Sequence, residues 1–284
     1  MASPSSTTAV IVPFYFGEEY LDDLVYGAKI IEAEYLILVL NGWNKEHAKW
    51  KSIKKEKRVV LVDPNCNLGF GDGVNKGAQR AMELGAEFLL IQNQDAALVA
   101  FNSALFRTAE KHLRVVCPVT WKEENGGAYN WFYKERILPQ LDGDSTPELL
   151  FFPAWMWLLS TDTFREVGWF DRMYFMYGED DDFAQRLCQK GGVFEVNFSF
   201  ECVHSGGMEP TPSQKIQNWM KQGRNIARFN QLEDLWGRGF VLKMLLTTTW
   251  SLAKGEFDKI QNFHLLYKYF VLGSRRNRIR IIKK

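Results

Sequence analysis

The chain contains only four cysteines, Cys66, Cys117, Cys188 and Cys202, and none of them forms a Cys-x-x-Cys pair or stands with histidines at zinc-finger spacing. This scarcity argues against a disulfide framework and a structural zinc module, and it points to reduced thiols in a cytosolic protein. Net charge is nearly absent as well, at +1. Six basic residues and no acid fall between Arg275 and Lys284, which leaves about −5 for the remainder, a poor match to nucleic acid and the mark of a local basic tail. Long apolar runs are missing: Phe240 to Ala253 is interrupted by Lys243 and is too short to span a bilayer. The opening residues, MASPSSTTAVIVPFYF, lack a basic segment followed by a long apolar one, so no signal peptide or N-terminal membrane anchor is expected there.

What is present suffices for a full core. The 284 residues are 46% hydrophobic and 14% aromatic, which fits one large domain with an appendage or two small domains. Thr8 to Phe14 is a continuous β-branched and apolar run, as expected of a strand buried on both faces, and Glu18 to Glu32 follows with Leu21, Leu24, Val25, Ala28 and Ile31 at helical spacing. Further strand-like runs cover Tyr35 to Leu40, Arg58 to Val62 and Glu87 to Gln92, with a glycine-rich loop and a helix from about Val74 to Leu84 between the last two. Strands alternating with helices predict a mostly parallel α/β sheet whose ligands sit at the carboxyl ends of the strands. After Val115 to Pro118 the pattern loosens over Thr120 to Thr146, as in a long functional loop. Order resumes with the apolar run Leu149 to Leu159, a short helix over Thr161 to Val167 stopped by Gly168, and the alternating run Val193 to Phe200. From Ser213 onward the pattern is helical.

Three features carry chemistry. The stretch Asn67-Leu-Gly69-Phe-Gly71-Asp-Gly73-Val-Asn75-Lys-Gly77 is glycine-dense, yet it is misplaced for a dinucleotide fingerprint, and Lys76 precedes Gly77 where a P-loop has its lysine last. It reads either as a turn needing positive φ or as a loop whose backbone approaches a sugar nucleotide. Asn93-Gln94-Asp95 follows a buried strand, where a carboxylate suits a hard divalent ion such as Mg²⁺ or Mn²⁺ held together with diphosphate oxygens, or else forms a turn. In GWFDRMYFMYGEDDDF, Glu179, Asp180, Asp181 and Asp182 arrive together at the start of a helix expected over Phe183 to Gln189. Their mutual repulsion needs an offset from a cation, a helix N-terminus or a substrate hydroxyl.

The succession NLGFGDGVNKG, LLIQNQDAAL, VGWFDRMYFMYGEDDDFAQRL and VHSGG resembles the inverting family 2 glycosyltransferases of the GT-A fold, most of all the rhamnosyltransferase-like branch that builds bacterial surface polysaccharides. It covers about Ala9 to Gly207. The resemblance implies that Asp95 is the remaining acid of a DxD-type metal motif with Asn93 at its first position, that His204 is a further metal ligand, and that Asp180 is the general base. Glu179 would orient the acceptor or the base, and Asp181 and Asp182 would cap the helix. Pro13, Tyr15, Asn41, Asn67, Gly69, Gly73 and Asn75 would lie with Asn93 and Asp95 about the donor. Trp155, in Pro153-Ala-Trp155-Met-Trp157 where small residues are usual, would stack on an acceptor sugar or join the core. Leu40-Asn41 replaces an Asp-Asn pair, and Pro13-Phe14-Tyr15-Phe16 lacks a customary asparagine.

The resulting expectation is a GT-A-like catalytic domain over residues 1–212, with a donor half at about 8–118 and an acceptor half at about 147–212, followed by a helical appendage over 213–284. It would use Mn²⁺ or Mg²⁺ to move a sugar from a nucleotide-diphosphate donor to a glycan or lipid-linked glycan. Rhamnose is the first expected sugar and then galactose, glucose or GlcNAc. The basic tail offers a peripheral contact with the inner face of a membrane, or a solvated end on a packed helical cap. A sugar-1-phosphate nucleotidyltransferase and a non-catalytic carbohydrate-binding protein are the rival classes. The first lacks its glycine-rich basic signature at Phe14 to Glu19, and the second has no need of Asp95, Asp180 and His204.

Overall fold

The computed structural model describes residues 7–121, 148–149, 151–172, 174–176 and 178–205. The chain divides between Met208 and Glu209, and every described residue lies in the first unit. The expected loop beyond Trp121, the appendage over 213–284 and its basic tail fall outside the described residues.

The described strands are β1 (Thr8–Tyr15), β2 (Tyr35–Gly42), β3 (Val59–Val62), β4 (Phe88–Gln92), β5 (Ala96–Phe101), β6 (Arg114–Trp121), β7 (Glu148–Leu149), β8 (Met156–Ser160) and β9 (Val193–His204). They form one sheet in the order β3-β2-β1-β4-β8-β6-β9-β5, with β7 on β9. Pairing is parallel from β3 to β4, as expected. Beyond β4 the sheet is mixed: β8 runs antiparallel to β4 and β6, β9 runs parallel to β6, and β5 and β7 run antiparallel to β9. β1, β4 and most of β2 and β8 are buried, which is why they read as unbroken apolar runs with no polar face.

The described helices are α1 (Leu21–Ile30), α2 (Trp50–Ile53), α3 (Gly69–Glu83), α4 (Leu105–Ala109), α5 (Thr161–Val167) and α6 (Glu179–Gln189). Two begin earlier than the sequence predicts. The glycine-rich stretch is no loop but the first half of α3, and all four acids lie in the first turn of α6. Helix α3 buries Gly69, Gly73, Gly77 and Ala81, four residues apart, together with Gly71, Val74, Asn75 and Ala78. Glycine has low intrinsic helix propensity, so packing holds this helix together. A Cβ at Gly77 would stand 2.4 Å from Ile11 Cγ2 on β1, and one at Gly73 would stand 3.1 Å from Pro13 Cβ. The absent side chains let α3 lie close on the strands.

Two consequences position the site. β8, antiparallel to β4, starts where β4 ends, with Met156 opposite Gln92. β9 ends where β5 begins, with His204 opposite Ala96. The residues just after β4, just before β8 and at the end of β9 therefore meet at one edge of the sheet.

Candidate active site

At the carboxyl end of β1, Tyr15 and Phe16 are 51% and 54% exposed and meet edge to face at 4.9 Å between centroids. Gln94 fastens them to the turn after β4: its Oε1 accepts from Tyr15 N at 2.7 Å and its Nε2 donates to Tyr15 O at 3.0 Å. Gly17 leaves room for this, because a Cβ there would lie 2.5 Å from the Gln94 amide. Sequence reasoning assigned no role to Gln94, although its place between Asn93 and Asp95 was a signal.

Much of the expected donor set serves packing instead. Asn41, 8% exposed, donates to Gly69 O at 2.8 Å and accepts from Leu68 N at 3.2 Å, so it pins the start of α3. Asn75, also 8% exposed, grips Phe170 with Nδ2 to its carbonyl at 2.8 Å and Oδ1 from its N–H at 2.9 Å. Pro13 and Gly73 are buried against each other. Gly69 has φ +77, and its Cβ would stand 1.7 Å from Phe175 O, whose carbonyl accepts from Phe70 N. Its backbone approaches the chain's own loop ahead of the acids, so the close approach expected toward a sugar nucleotide is corrected to this one. Asn67 is exposed and caps Gly69 N at 2.9 Å.

The turn after β4 carries the convergent groups. Asp95 Oδ1 lies 3.3 Å from His204 Nε2, and Asn93 Nδ2 lies 3.5 Å from the same nitrogen. Ser205 N donates to Asp95 O at 3.1 Å, so the ends of the two segments are also joined through backbone. The His204 side chain is 1% exposed and that of Asp95 is 15% exposed. Trp155 is itself 1% exposed, so its ring is out of an acceptor's reach, and the expected stacking on sugar is corrected. The indole lies on the His204 ring, centroids 5.4 Å apart and planes 17° apart, and donates to Thr120 Oγ1 at 3.0 Å. Burying an indole favours such a partner for its N–H.

The four acids separate by partner. Asp182, 4% exposed, takes two bonds from Arg186, at 3.0 Å from Nε and 2.9 Å from the terminal nitrogen. Arg186 in turn donates to the carbonyls of Val167, Gly168 and Trp169 at 2.7, 2.9 and 3.0 Å, which ties α6 to the loop after α5. Glu179 is 5% exposed and packs under Gly71, whose Cβ would meet the Glu179 Cβ at 3.2 Å. This position does not favour the expected acceptor contact. The helix runs from Glu179 and is entered through Gly178, φ 96, with no side-chain cap; Asp181 and Asp182 stand in its first turn, as expected, where the helix dipole favours a negative charge. Asp180 is half-buried at the N-terminus of α6, accepting from Asp181 N at 3.0 Å and, more loosely, from Ala154 N at 3.5 Å. Burial pushes its carboxyl above the usual carboxylate range, against the lowering pull of these N–H groups. Asp181 is exposed, yet surrounding protein displaces part of its hydration. That loss, with the Asp180 charge beside it, pushes Asp181 up to about 6.

Among the described residues, no three His, Cys, Asp or Glu side chains converge as a metal-binding set. The Asp95–His204 pair fits a divalent ion nonetheless. Such ions often take one or two protein ligands and complete their shell with water and substrate phosphate. The chain's own contribution is two donors at the sheet edge, with Asn93 beside them.

No protein-family model and no curated protein matches the chain. Solved structures do. GalNAc-T7, determined with UDP, GalNAc and Mn²⁺, is similar over 72% of this chain and 44% of its own, at TM-score 0.55 and 16% identity. Residues 1–349 of S. aureus TarS are similar over 78% of this chain and 65% of that one, at TM-score 0.52 and 14% identity. The same fragment in complex with UDP gives TM-score 0.51 and 16% identity. This chain thus spans from 44% to 65% of the length of these structures. The likeness is one of fold, and it agrees with the element order above: the chain has a GT-A-like α/β fold, a mixed sheet flanked by helices.

Proposed function

We propose that this chain is a metal-dependent inverting glycosyltransferase that moves a sugar from a nucleotide-diphosphate donor to a hydroxyl of a glycan or lipid-linked glycan. The observation that carries the reading is the meeting of Asp95, His204 and Asn93 at the carboxyl edge of the parallel strands, with Asp180 facing the N–H of Ala154, the residue before the Trp155 that lies on His204. In a parallel α/β sheet that edge is where ligands bind. The fold agrees with those of solved structures that carry UDP, in one case with Mn²⁺.

In this reading the exposed Tyr15 and Phe16 face the nucleotide, and Asp95 and His204 would hold Mn²⁺ or Mg²⁺ against the diphosphate. The ion supplies positive charge where the leaving diphosphate becomes more negative. Asp180 takes the proton of the acceptor hydroxyl as that oxygen attacks the anomeric carbon from the side opposite the diphosphate, which inverts configuration. A carboxyl pKa raised by burial makes Asp180 a stronger base than an ordinary aspartate. Rhamnose carried on deoxythymidine diphosphate is the first donor to test, and UDP-hexoses come next. Surface polysaccharide or glycan synthesis at the inner face of a membrane is the setting this activity suits.

The test is product analysis with each donor and Mn²⁺, in wild type and in Asp180→Asn. Transfer or slow donor hydrolysis with an inverted anomeric centre is expected. Asp180→Asn should lower turnover by about two to four orders of magnitude, the usual worth of a general base, while donor-induced thermal stabilisation persists. A retained anomeric configuration, or near-normal turnover in Asp180→Asn, removes Asp180 from the role. Release of pyrophosphate from a nucleoside triphosphate and a sugar phosphate would favour a nucleotidyltransferase instead.

A further inference from the structure

Trp155 touches both sides of the convergent pair. Its carbonyl accepts from Asn93 N at 2.8 Å, which fixes the start of the turn that carries Asp95. Its ring lies nearly parallel to the His204 imidazole. Both ring nitrogens of an imidazole lie in the ring plane, so a flat neighbour that sets the plane also sets where Nε2 points. Here it points at Asp95 Oδ1. The indole cannot spin freely, because its N–H is anchored on Thr120 Oγ1. Thr120 stands opposite Cys202 on β9, two residues before His204, and its hydroxyl lies 3.5 Å from Cys202 Sγ. The anchor of the indole and the histidine it supports therefore belong to the same pair of strands. The residue before it, Ala154, is the one whose N–H faces Asp180.

We propose that Trp155 is a positioning residue whose indole aligns His204 for the divalent ion, with Thr120 holding that indole in azimuth. The proposal rests on the metal-dependent reading above. It assigns to a buried tryptophan the orienting work that hydrogen-bonded outer partners of a metal ligand commonly do. Trp155 contacts neither sugar nor nucleotide in this account.

The test measures Mn²⁺ binding directly, from the loss of the free-ion electron paramagnetic resonance signal, in the presence of UDP, together with UDP binding in the absence of metal. Full-length wild type, Thr120→Val, Trp155→Phe and Trp155→Leu are compared, with affinities scaled to the folded fraction found by thermal melting. Trp155→Leu should weaken Mn²⁺ binding by about tenfold to a hundredfold, the usual effect of losing an outer partner. Trp155→Phe, which keeps a flat ring without the anchor, and Thr120→Val, which removes the acceptor alone, should fall between it and wild type. Metal-free UDP binding should stay the same throughout. A purely structural tryptophan would lower the melting temperature and leave the scaled Mn²⁺ affinity unchanged in all three variants, which would overturn the proposal. If wild type itself bound no Mn²⁺ with UDP, the metal reading would fail first and the proposal with it.

Discussion

Gly77→Ala separates the two meanings that a glycine-rich stretch can have. In the middle of a helix, replacing glycine by alanine normally stabilises by roughly 0.5–1 kcal/mol. Here the new Cβ would stand 2.4 Å from Ile11 Cγ2 and 3.2 Å from Val39 Cγ2. Both partners are fully buried side chains on β1 and β2, so they cannot swing out of the way. Overpacking of this kind costs typically about 1–3 kcal/mol; set against a propensity gain of roughly 0.5–1 kcal/mol, the net expectation is a loss of up to about 2.5 kcal/mol. Ile11→Ala alone should cost about 2–5 kcal/mol through the cavity it leaves. Combined with Gly77→Ala it should cost less than the sum by about 1 kcal/mol or more, because the new methyl occupies part of that cavity. Urea unfolding of the four proteins gives the cycle, and UDP affinity should be the same in the folded fraction of each. If Gly77→Ala stabilised the protein, or if it weakened UDP binding without changing stability, α3 would not be packed as described and the glycines would belong to the ligand.

Three further outcomes follow from the acidic stretch and its surroundings. Arg186→Met leaves the buried Asp182 carboxylate without its two bonds and releases three carbonyls, so it should cost about 3 kcal/mol or more in urea unfolding; a cost below about 1 kcal/mol would mean that the clamp is slack. Asp180 and Asp181 both have raised carboxyl pKa values in the folded chain. The contribution of Asp181 to stability is therefore complete below the unfolded value near 3.8 and is lost as pH rises through about 6. Asp181→Asn should accordingly gain melting temperature over wild type as pH rises from 4.5 to 7.5, and a difference that stayed flat would contradict the coupling. Turnover should climb from acid toward neutral pH as the Asp180 carboxyl, raised by burial, gives up its proton, and a rate that did not rise with pH over that range would argue against a carboxylate base.

The parallel half of the fold was legible because β1, β2 and β4 are buried on both faces, and burial of that kind leaves an unbroken apolar run. Direction was not. β8 is as apolar as β4 and runs the other way, and nothing in Met156 to Leu159 records which way a neighbour points. The start of α3 was hidden because glycine signals a turn wherever local propensity decides, whereas here the close seat on Ile11 and Pro13 decides. β5 escaped notice because Ala96 to Phe101 follows a turn directly and, among the described strands, pairs with the distant β9 alone. In the candidate site, the resemblance carried by the order of the motifs grouped Asn93, Asp95 and His204, and the three side chains do lie together. Asp182 could have been set aside from sequence, since Arg186 stands four residues later on the same helix face. The burial of Trp155 could not have been, because a tryptophan beside a strand looks the same whether its ring meets a sugar or an imidazole.

The central claim is that Asp95 and His204 hold a divalent ion against a nucleotide diphosphate at the carboxyl edge of the parallel strands. It is tested most directly by titrating UDP and deoxythymidine diphosphate into wild type, Asp95→Ala and His204→Ala, with and without Mn²⁺, and following the melting temperature. The account predicts that at least one nucleotide stabilises wild type more with Mn²⁺ than without it, by an amount that grows with the logarithm of ligand concentration, and that both variants lose the Mn²⁺-dependent part. No stabilisation by either nucleotide, or the same Mn²⁺-dependent stabilisation in Asp95→Ala as in wild type, would contradict it.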